Sequence, residues 1–221
     1  MTPTFAPVIG KSYGTPDSIF PKRLLILGSS FYLEGACDEG FVMSNAEGAD
    51  FGLDIIGMYL DPDFSAPWKK TYSTFINSIF GHATSIDERE SFFDSVVFYN
   101  YLQVPAGENP YSADNYDYTA EIHCEAFLHV VENTKPEIVI SWGDKVWDAL
   151  PNEWGYGMAK WGEPLALDPP FGSYMDYPFG NETIRLIGAH HPSTGYPSEY
   201  HHEIFKGLGV VADSSINRKP T

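Results

Sequence analysis

Residues 24–34 read Leu24-Leu25-Ile26-Leu27-Gly28-Ser29-Ser30-Phe31-Tyr32-Leu33-Glu34. The first four are uninterrupted aliphatics. They are too few for a helix and show no alternation, which suits a strand covered on both faces. Gly28 and two serines follow at once, so the chain leaves the strand into a polar and permissive turn. The same pattern recurs three times. Residues 96–99 run into Asn100-Tyr101-Leu102-Gln103, and residues 138–140 into Trp142-Gly143-Asp144. Residues 184–187 run into Ala189-His190-His191-Pro192-Ser193-Thr194.

Helical patterns fill the intervals. Residues 66–79 place Trp68, Tyr72, Phe75, Ile76 and Ile79 on one stripe. Ser85-Ile86-Asp87-Glu88 has the form of a capping box, opening a short helix through Phe93. Residues 119–133 put Ile122, Ala126, Phe127, Val130 and Val131 on one face, and Pro136 stops them. Asp144 reads as the N-cap of a helix over 145–150, and Pro197 suits the first turn of a last helix carrying Ile204, Phe205 and Leu208. Strands alternating with helices predict an α/β fold. The expected form is a three-layer α/β/α sandwich with a short, mainly parallel central sheet. Residues 1–21 read as an N-terminal arm, 22–213 as a single domain and 214–221 as a frayed tail. The stretch 151–181, rich in Gly, Pro and aromatics, reads as a long irregular excursion within that domain.

The chain has 221 residues, enough for one α/β domain with a sizeable core. No apolar run approaches the length of a membrane helix, and residues 1–11 lack the pattern of a secretory signal. Cys37 and Cys124 are far apart and in no metal or redox spacing, so both read as reduced thiols of a cytoplasmic protein. Thirty acidic residues against 13 basic ones give a net charge of −17. Such a surface repels phosphate backbones and anionic membranes at long range. Nucleic-acid binding would need a local basic rim, for which Lys11, Lys69, Lys70 and Lys145 are the candidates. The doublets His190-His191 and His201-His202 could each offer at most one ligand to a shared metal. With no cysteine beside them, no metal and no cofactor is expected.

In open parallel sheets, ligands bind beyond the carboxyl ends of the strands. All four strand ends here carry polar or permissive residues. In order, they resemble the uracil-DNA glycosylase superfamily over residues 22–208: a strand with Gly-x-x-x-Tyr, one ending in Asn, one ending in Gly, and one ending in His-Pro-Ser. The nearest likeness is to poorly characterised members with a Gly-x-Ser-x-Tyr first motif and a Phe-Tyr-Asn-Tyr strand end. The resemblance implies a uracil-DNA glycosylase-like fold and hydrolysis of the N-glycosidic bond of uracil or a modified base in DNA.

It also assigns roles. Asn100 would pair with the edge of a flipped base, because only a carboxamide offers donor and acceptor side by side; the bland alternative is a strand-end turn. His191 would donate to the base carbonyl as charge develops. Gly28 closes the first motif, Tyr32 would exclude bulkier bases, and Phe41 would stack on the ring. Ser193, Tyr196 and Lys145 would contact DNA, with Tyr196 serving as a wedge or simply as the entry to the last helix. Relatives carry Asp or Asn where this chain has Ser30. A serine can hold a water but cannot act as a base near neutral pH. Glu34 or Asp38, in the same loop, could take that part. The expected partner is DNA, including single strands, or a free nucleobase or nucleotide, bound by a monomer without membrane contact. A non-catalytic nucleobase sensor or interaction module on the same fold is the alternative.

Overall fold

Described in the computed structural model are residues 3–33, 45–107, 116–153, 157–162, 174–193 and 195–211. The strands are β1 (Val8–Ile9), β2 (Leu24–Gly28), β3 (Val96–Asn100), β4 (Ile138–Trp142), β5 (Lys160–Gly162), β6 (Tyr174–Phe179) and β7 (Glu182–Ala189). The helices are α1 (Asn45–Leu60), α2 (Lys69–Phe80), α3 (Ile86–Ser95), α4 (Glu121–Thr134), α5 (Asp144–Ala149) and α6 (Ser198–Gly207). The strands form one sheet in the order β1-β3-β2-β4-β7-β6-β5. The central four, β3, β2, β4 and β7, are the four apolar runs, and they pair in parallel. The flanking strands are antiparallel.

Every residue of β2, β3 and β4 is buried, which is why these runs show no polar alternation. On one face Leu24, Ile26, Phe98, Ile140 and Ile187 meet α1, α2, α3 and α6 through Tyr59, Phe75, Phe92 and Phe205. On the other, Leu25, Leu27, Val97 and Val139 meet Phe127, Val130 and Val131 of α4 and Val146 of α5. Helices therefore cover both faces of the sheet. Each such aliphatic contributes roughly 1.5–3 kcal/mol through burial. The capping box of α3 is present: Glu88 N–H donates to Ser85 Oγ at 3.3 Å and Ser85 N–H to Glu88 Oε2 at 2.7 Å.

Four expectations need correction. The arm expected over residues 1–21 is, from residue 3 onward, part of the fold: β1 joins the sheet edge, and Phe5, Ile19 and Phe20 are buried. The excursion over 151–181 supplies β5 and β6, and Gly180-Asn181 turns β6 into β7 with Gly180 at φ +60°. In α4 the buried stripe contains His123 and leaves Ile122 39% exposed. That register follows from His123 Nδ1, which accepts from Gln103 N–H at 3.0 Å inside the fold. Asp144 is the first residue of α5 rather than its cap. Gly143 takes the N-cap position at φ +83°, which favours glycine.

Helix α1 corresponds to no pattern read from the sequence. Its glycines explain why. A Cβ at Gly48 would lie 2.3 Å from the Thr4 carbonyl oxygen, and one at Gly52 would lie 3.0 Å from Val8 Cγ2. One stripe of α1 is therefore bare so that the N-terminal arm can lie against it. Glycine in a helix interior costs about 1 kcal/mol relative to alanine. Tertiary contact offsets that cost here. Among the described residues, no helix is long and apolar enough to cross a membrane.

Candidate functional site

The last rung of the parallel core positions the site. Gly28 pairs with Asn100, Leu27 with Ser141, and Trp142 with Ala189. Across β3, β2, β4 and β7 the rung therefore reads Asn100, Gly28, Trp142, Ala189. By alternation it continues the face that carries Phe98, Ile26, Ile140 and Ile187. Gly28 is a gap in that rung, since a Cβ there would sit 2.1 Å from Asn100 Oδ1. The Asn100 carboxamide thus lies over the glycine. Asn100 is only 3% exposed. Its backbone carbonyl accepts from Gln103 Nε2 at 3.2 Å.

The turns after β2 and β3 are zipped together beyond the sheet. Tyr101 and Leu102 N–H donate to the carbonyls of Gly28 and Ser29, each at 3.0 Å; Ala106 N–H donates to Phe31 at 2.8 Å, and Leu33 N–H to Gly107 at 2.9 Å. This ladder holds Ser30 and Tyr32 at the carboxyl edge. Ser29 and Tyr118 hydroxyls are 2.7 Å apart. Ser30 Oγ is buried and has no hydrogen-bond partner among the described residues. Tyr32 is half-buried and near enough to Tyr72 for its phenol to help hold the Tyr72 hydroxyl above its ordinary value, though burial is the larger cause.

Trp142 was not read as a site residue, yet it stands in the same rung. It is 4% exposed, and its indole N–H is buried with no partner among the described residues. A tryptophan closing an apolar strand before glycine is the one signal that marked it. Gln103 was also passed over. Its Oε1 accepts from Thr4 N–H at 2.9 Å and Phe5 N–H at 3.4 Å, while its Nε2 donates to the Asn100 and Tyr101 carbonyls. One buried amide therefore ties the N-terminal arm to the end of β3.

His191 follows β7 and packs over Gly143, whose Cβ would come within 3.3 Å of His191 Cβ. The imidazole stands edge-on to Trp142, with ring centres 6.3 Å apart. Ser193 N–H donates to His191 Nδ1 at 3.3 Å, and Ser193 Oγ lies 2.7 Å from the same nitrogen. A backbone N–H can only donate, so Nδ1 is the acceptor and Nε2 carries the hydrogen. Burial lowers the pKa of His191, which keeps the ring neutral.

The proposed DNA contacts are distributed differently. Ser193 is exposed and engaged with His191. Lys145 is exposed in the first turn of α5, directly after β4. The Tyr196 ring stacks on His201 at 4.3 Å and 14°, and its hydroxyl lies 3.0 Å from Ser78 Oγ. It is thus held in the packing at the entry to α6 and is not presented as a wedge. Lys69 Nζ donates to the Asp61 and Phe64 carbonyls. Lys11 pairs with Asp94 at 2.7 Å, before β3 begins, and so belongs to the opposite edge of the sheet. Glu34, Asp38 and Phe41 lie outside the described residues.

A cavity of about 670 Å³ opens at that opposite, amino edge, bordered by Lys22, Arg23, Glu137, Asp176, Glu182 and Arg185. Arg185 is bidentate to Asp176 at 2.8 Å and 2.8 Å. Arg23 reaches Glu137 and Glu182 at 3.7 and 3.6 Å, and Lys22 Nζ donates to the Leu208 carbonyl. These charges satisfy one another. Among the described residues, no group of three or more His, Cys, Asp or Glu side chains could hold a metal ion. No family model matches this chain, and no curated protein matches it.

Proposed function

We propose that this chain is a DNA N-glycosylase of the uracil-DNA glycosylase type, acting on uracil or a modified base presented in a single strand or flipped from a duplex. The observation that carries the reading is the Asn100 carboxamide. It is buried and lies over Gly28, at the same end of the sheet as an imidazole bearing its hydrogen on Nε2. Buried polar groups are nearly always satisfied, so Ser30 Oγ and Trp142 Nε1, unpartnered among the described residues at this end of the sheet, mark a place for a ligand or water beside the carboxamide. A carboxamide matches the edge of a pyrimidine.

In the reaction, the bond between the sugar C1′ and the base nitrogen breaks and its electron pair stays on the base. The His191 Nε2–H donates a hydrogen bond to the carbonyl oxygen where that charge collects. A neutral, preorganised donor suits this task, since it needs no proton transfer. Water adds to C1′ and its released proton goes to solvent. Ser30 Oγ can hold that water but cannot deprotonate it. The loss of a carboxylate at this place, with the net charge of −17, supports a second reading: a pocket that binds a free nucleobase without cleaving anything.

The deciding experiment is an excision assay on uracil-containing single and double strands, with alkaline cleavage of the abasic product. Asn100→Ala and His191→Ala should each lower excision by about 100-fold or more, with unchanged circular dichroism. Undiminished excision in either variant would remove that residue from the mechanism. Binding of free uracil without excision of any base would establish the sensor reading.

A further inference from the structure

The loop bearing His191 is anchored from one side by Gly143, whose N–H donates to the Ala189 carbonyl at 2.7 Å. On the other side stands a second histidine. His201, in the first turn of α6, is 1% exposed. Its imidazole lies between Tyr196, stacked at 4.3 Å, and Phe205, stacked at 5.8 Å and 24°. Its Nε2 is 3.2 Å from Nδ1 of the exposed His190, the immediate neighbour of His191. Tyr196 in turn is fixed by Ser78 Oγ, which donates to the Phe75 carbonyl at 2.6 Å. His202 Nδ1 lies 2.9 Å from the Ser78 carbonyl and binds α6 to the same turn of α2.

An unbroken set of contacts therefore runs from α2 through Tyr196 and His201 to His190. The arrangement is costly to build, because a buried imidazole has polar nitrogens that must be satisfied. Simple packing would be served as well by phenylalanine, which fits the same stack. The nitrogen facing His190 is what phenylalanine would lack.

We propose that His201 is a positioning residue: its hydrogen bond to His190 fixes the backbone of the His190-His191 pair and so aims the His191 Nε2–H. The role rests on the assignment of His191 as the charge-stabilising donor. The sequence hides it, since His201 sits in an amphipathic helix where a histidine reads as surface.

The test uses the full chain with three substitutions. His201→Phe keeps the stack and removes the nitrogen, His201→Gln restores an amide within reach of His190, and His190→Ala breaks the contact from the exposed side without touching the core. Two readouts are taken. Nitrogen-15 spectra of the imidazoles report whether His191 holds a single Nε2–H tautomer, and single-turnover excision reports function. His201→Phe and His190→Ala should both blur the His191 tautomer signal and lower the excision rate about tenfold, within the range expected for an ångström-scale misplacement. His201→Gln should recover most of both. A sharp, unchanged His191 signal in His201→Phe and His190→Ala would overturn the proposal. So would equal damage by Phe and Gln, which would make His201 a packing residue only. If the wild type excises no base, the glycosylase reading falls, and the spectra alone still decide whether His201 positions His191.

Discussion

The two edges of the parallel sheet are built on opposite electrostatic plans. At the amino edge the charges face carboxylates or carbonyls: Arg185 with Asp176, Arg23 with Glu137 and Glu182, and Lys22 with the Leu208 carbonyl. At the carboxyl edge the polar groups are mostly neutral, more deeply buried, and in three cases open. Ser30 Oγ, Tyr99 Oη and Trp142 Nε1 are buried without a partner among the described residues. The large cavity and the proposed site are therefore different things in this molecule. The cavity lies where polar groups satisfy each other, and the open polar groups lie where side chains are packed around a single missing Cβ at Gly28.

The strongest way to break this contrast is to fill that gap. In Gly28→Ala the new methyl would meet Asn100 Oδ1 at 2.1 Å. The amide is the end of a short side chain and can rotate away, so the loss of stability should be small. The loss of base recognition should match that of Asn100→Ala, about 100-fold or more. Excision kinetics and a urea melt on the same sample separate the two. A Gly28→Ala protein with full excision would mean that the Asn100 amide is not placed over Gly28 for recognition.

A broader effect concerns acid. His123, His191 and His201 are all held below the ordinary imidazole value, chiefly by burial, with His201 pushed down to about 4. In the unfolded chain they protonate near 6.5. The stability they permit is therefore whole above that value. As pH falls below it, the unfolded state binds protons first, and the loss continues until the folded groups titrate, near 4 for His201. The urea midpoint should fall steadily between about pH 6.5 and 4, and His201→Phe should flatten part of that slope. A midpoint independent of pH over this window would contradict the burial argument.

What the sequence disclosed follows the same contrast. Three of the four parallel strands were legible because burial on both faces leaves uninterrupted apolar runs at residues 24–27, 96–99 and 138–140. Asn100 and His191 were legible because a polar residue directly after such a run must lie at the carboxyl edge. Helix α1 was hidden by Gly48 and Gly52, which local propensity penalises and which only the arm across them explains. Strand β6 was hidden by Pro178, although Gly180-Asn181 between two runs is itself a hairpin signal. Hydrophobic patterning counted Ile122 inward, and the hydrogen bond from Gln103 N–H places His123 on the buried stripe instead.

At the amino edge a smaller effect is expected. Arg185→Met removes a bidentate pair whose side chains are 36% and 23% exposed. Solvent screens such pairs, so the loss should be about 1 kcal/mol or less. Excision should be unchanged, since the edge faces away from Asn100 and His191. A drop in excision comparable to that of Gly28→Ala would show that the two edges are coupled and that the contrast fails.

The finest distinction falls on Ser30. Its hydroxyl is buried without a partner among the described residues, and two explanations predict opposite signs. If the hydroxyl merely sits in a dry pocket, Ser30→Ala removes an unsatisfied polar group, which should stabilise the fold by about 1 kcal/mol or more and leave excision untouched. If it holds the attacking water, Ser30→Ala should leave stability nearly unchanged and lower excision by a few-fold, because a serine orients water without taking its proton. Ser30→Asp extends the test. A carboxylate there can orient the same water and stabilise positive charge on the sugar, so excision should rise above wild type. Under the sensor reading, no variant at this position creates activity, and Ser30→Asp only weakens uracil binding by burying a charge. Paired melts and excision rates for the two variants separate these outcomes.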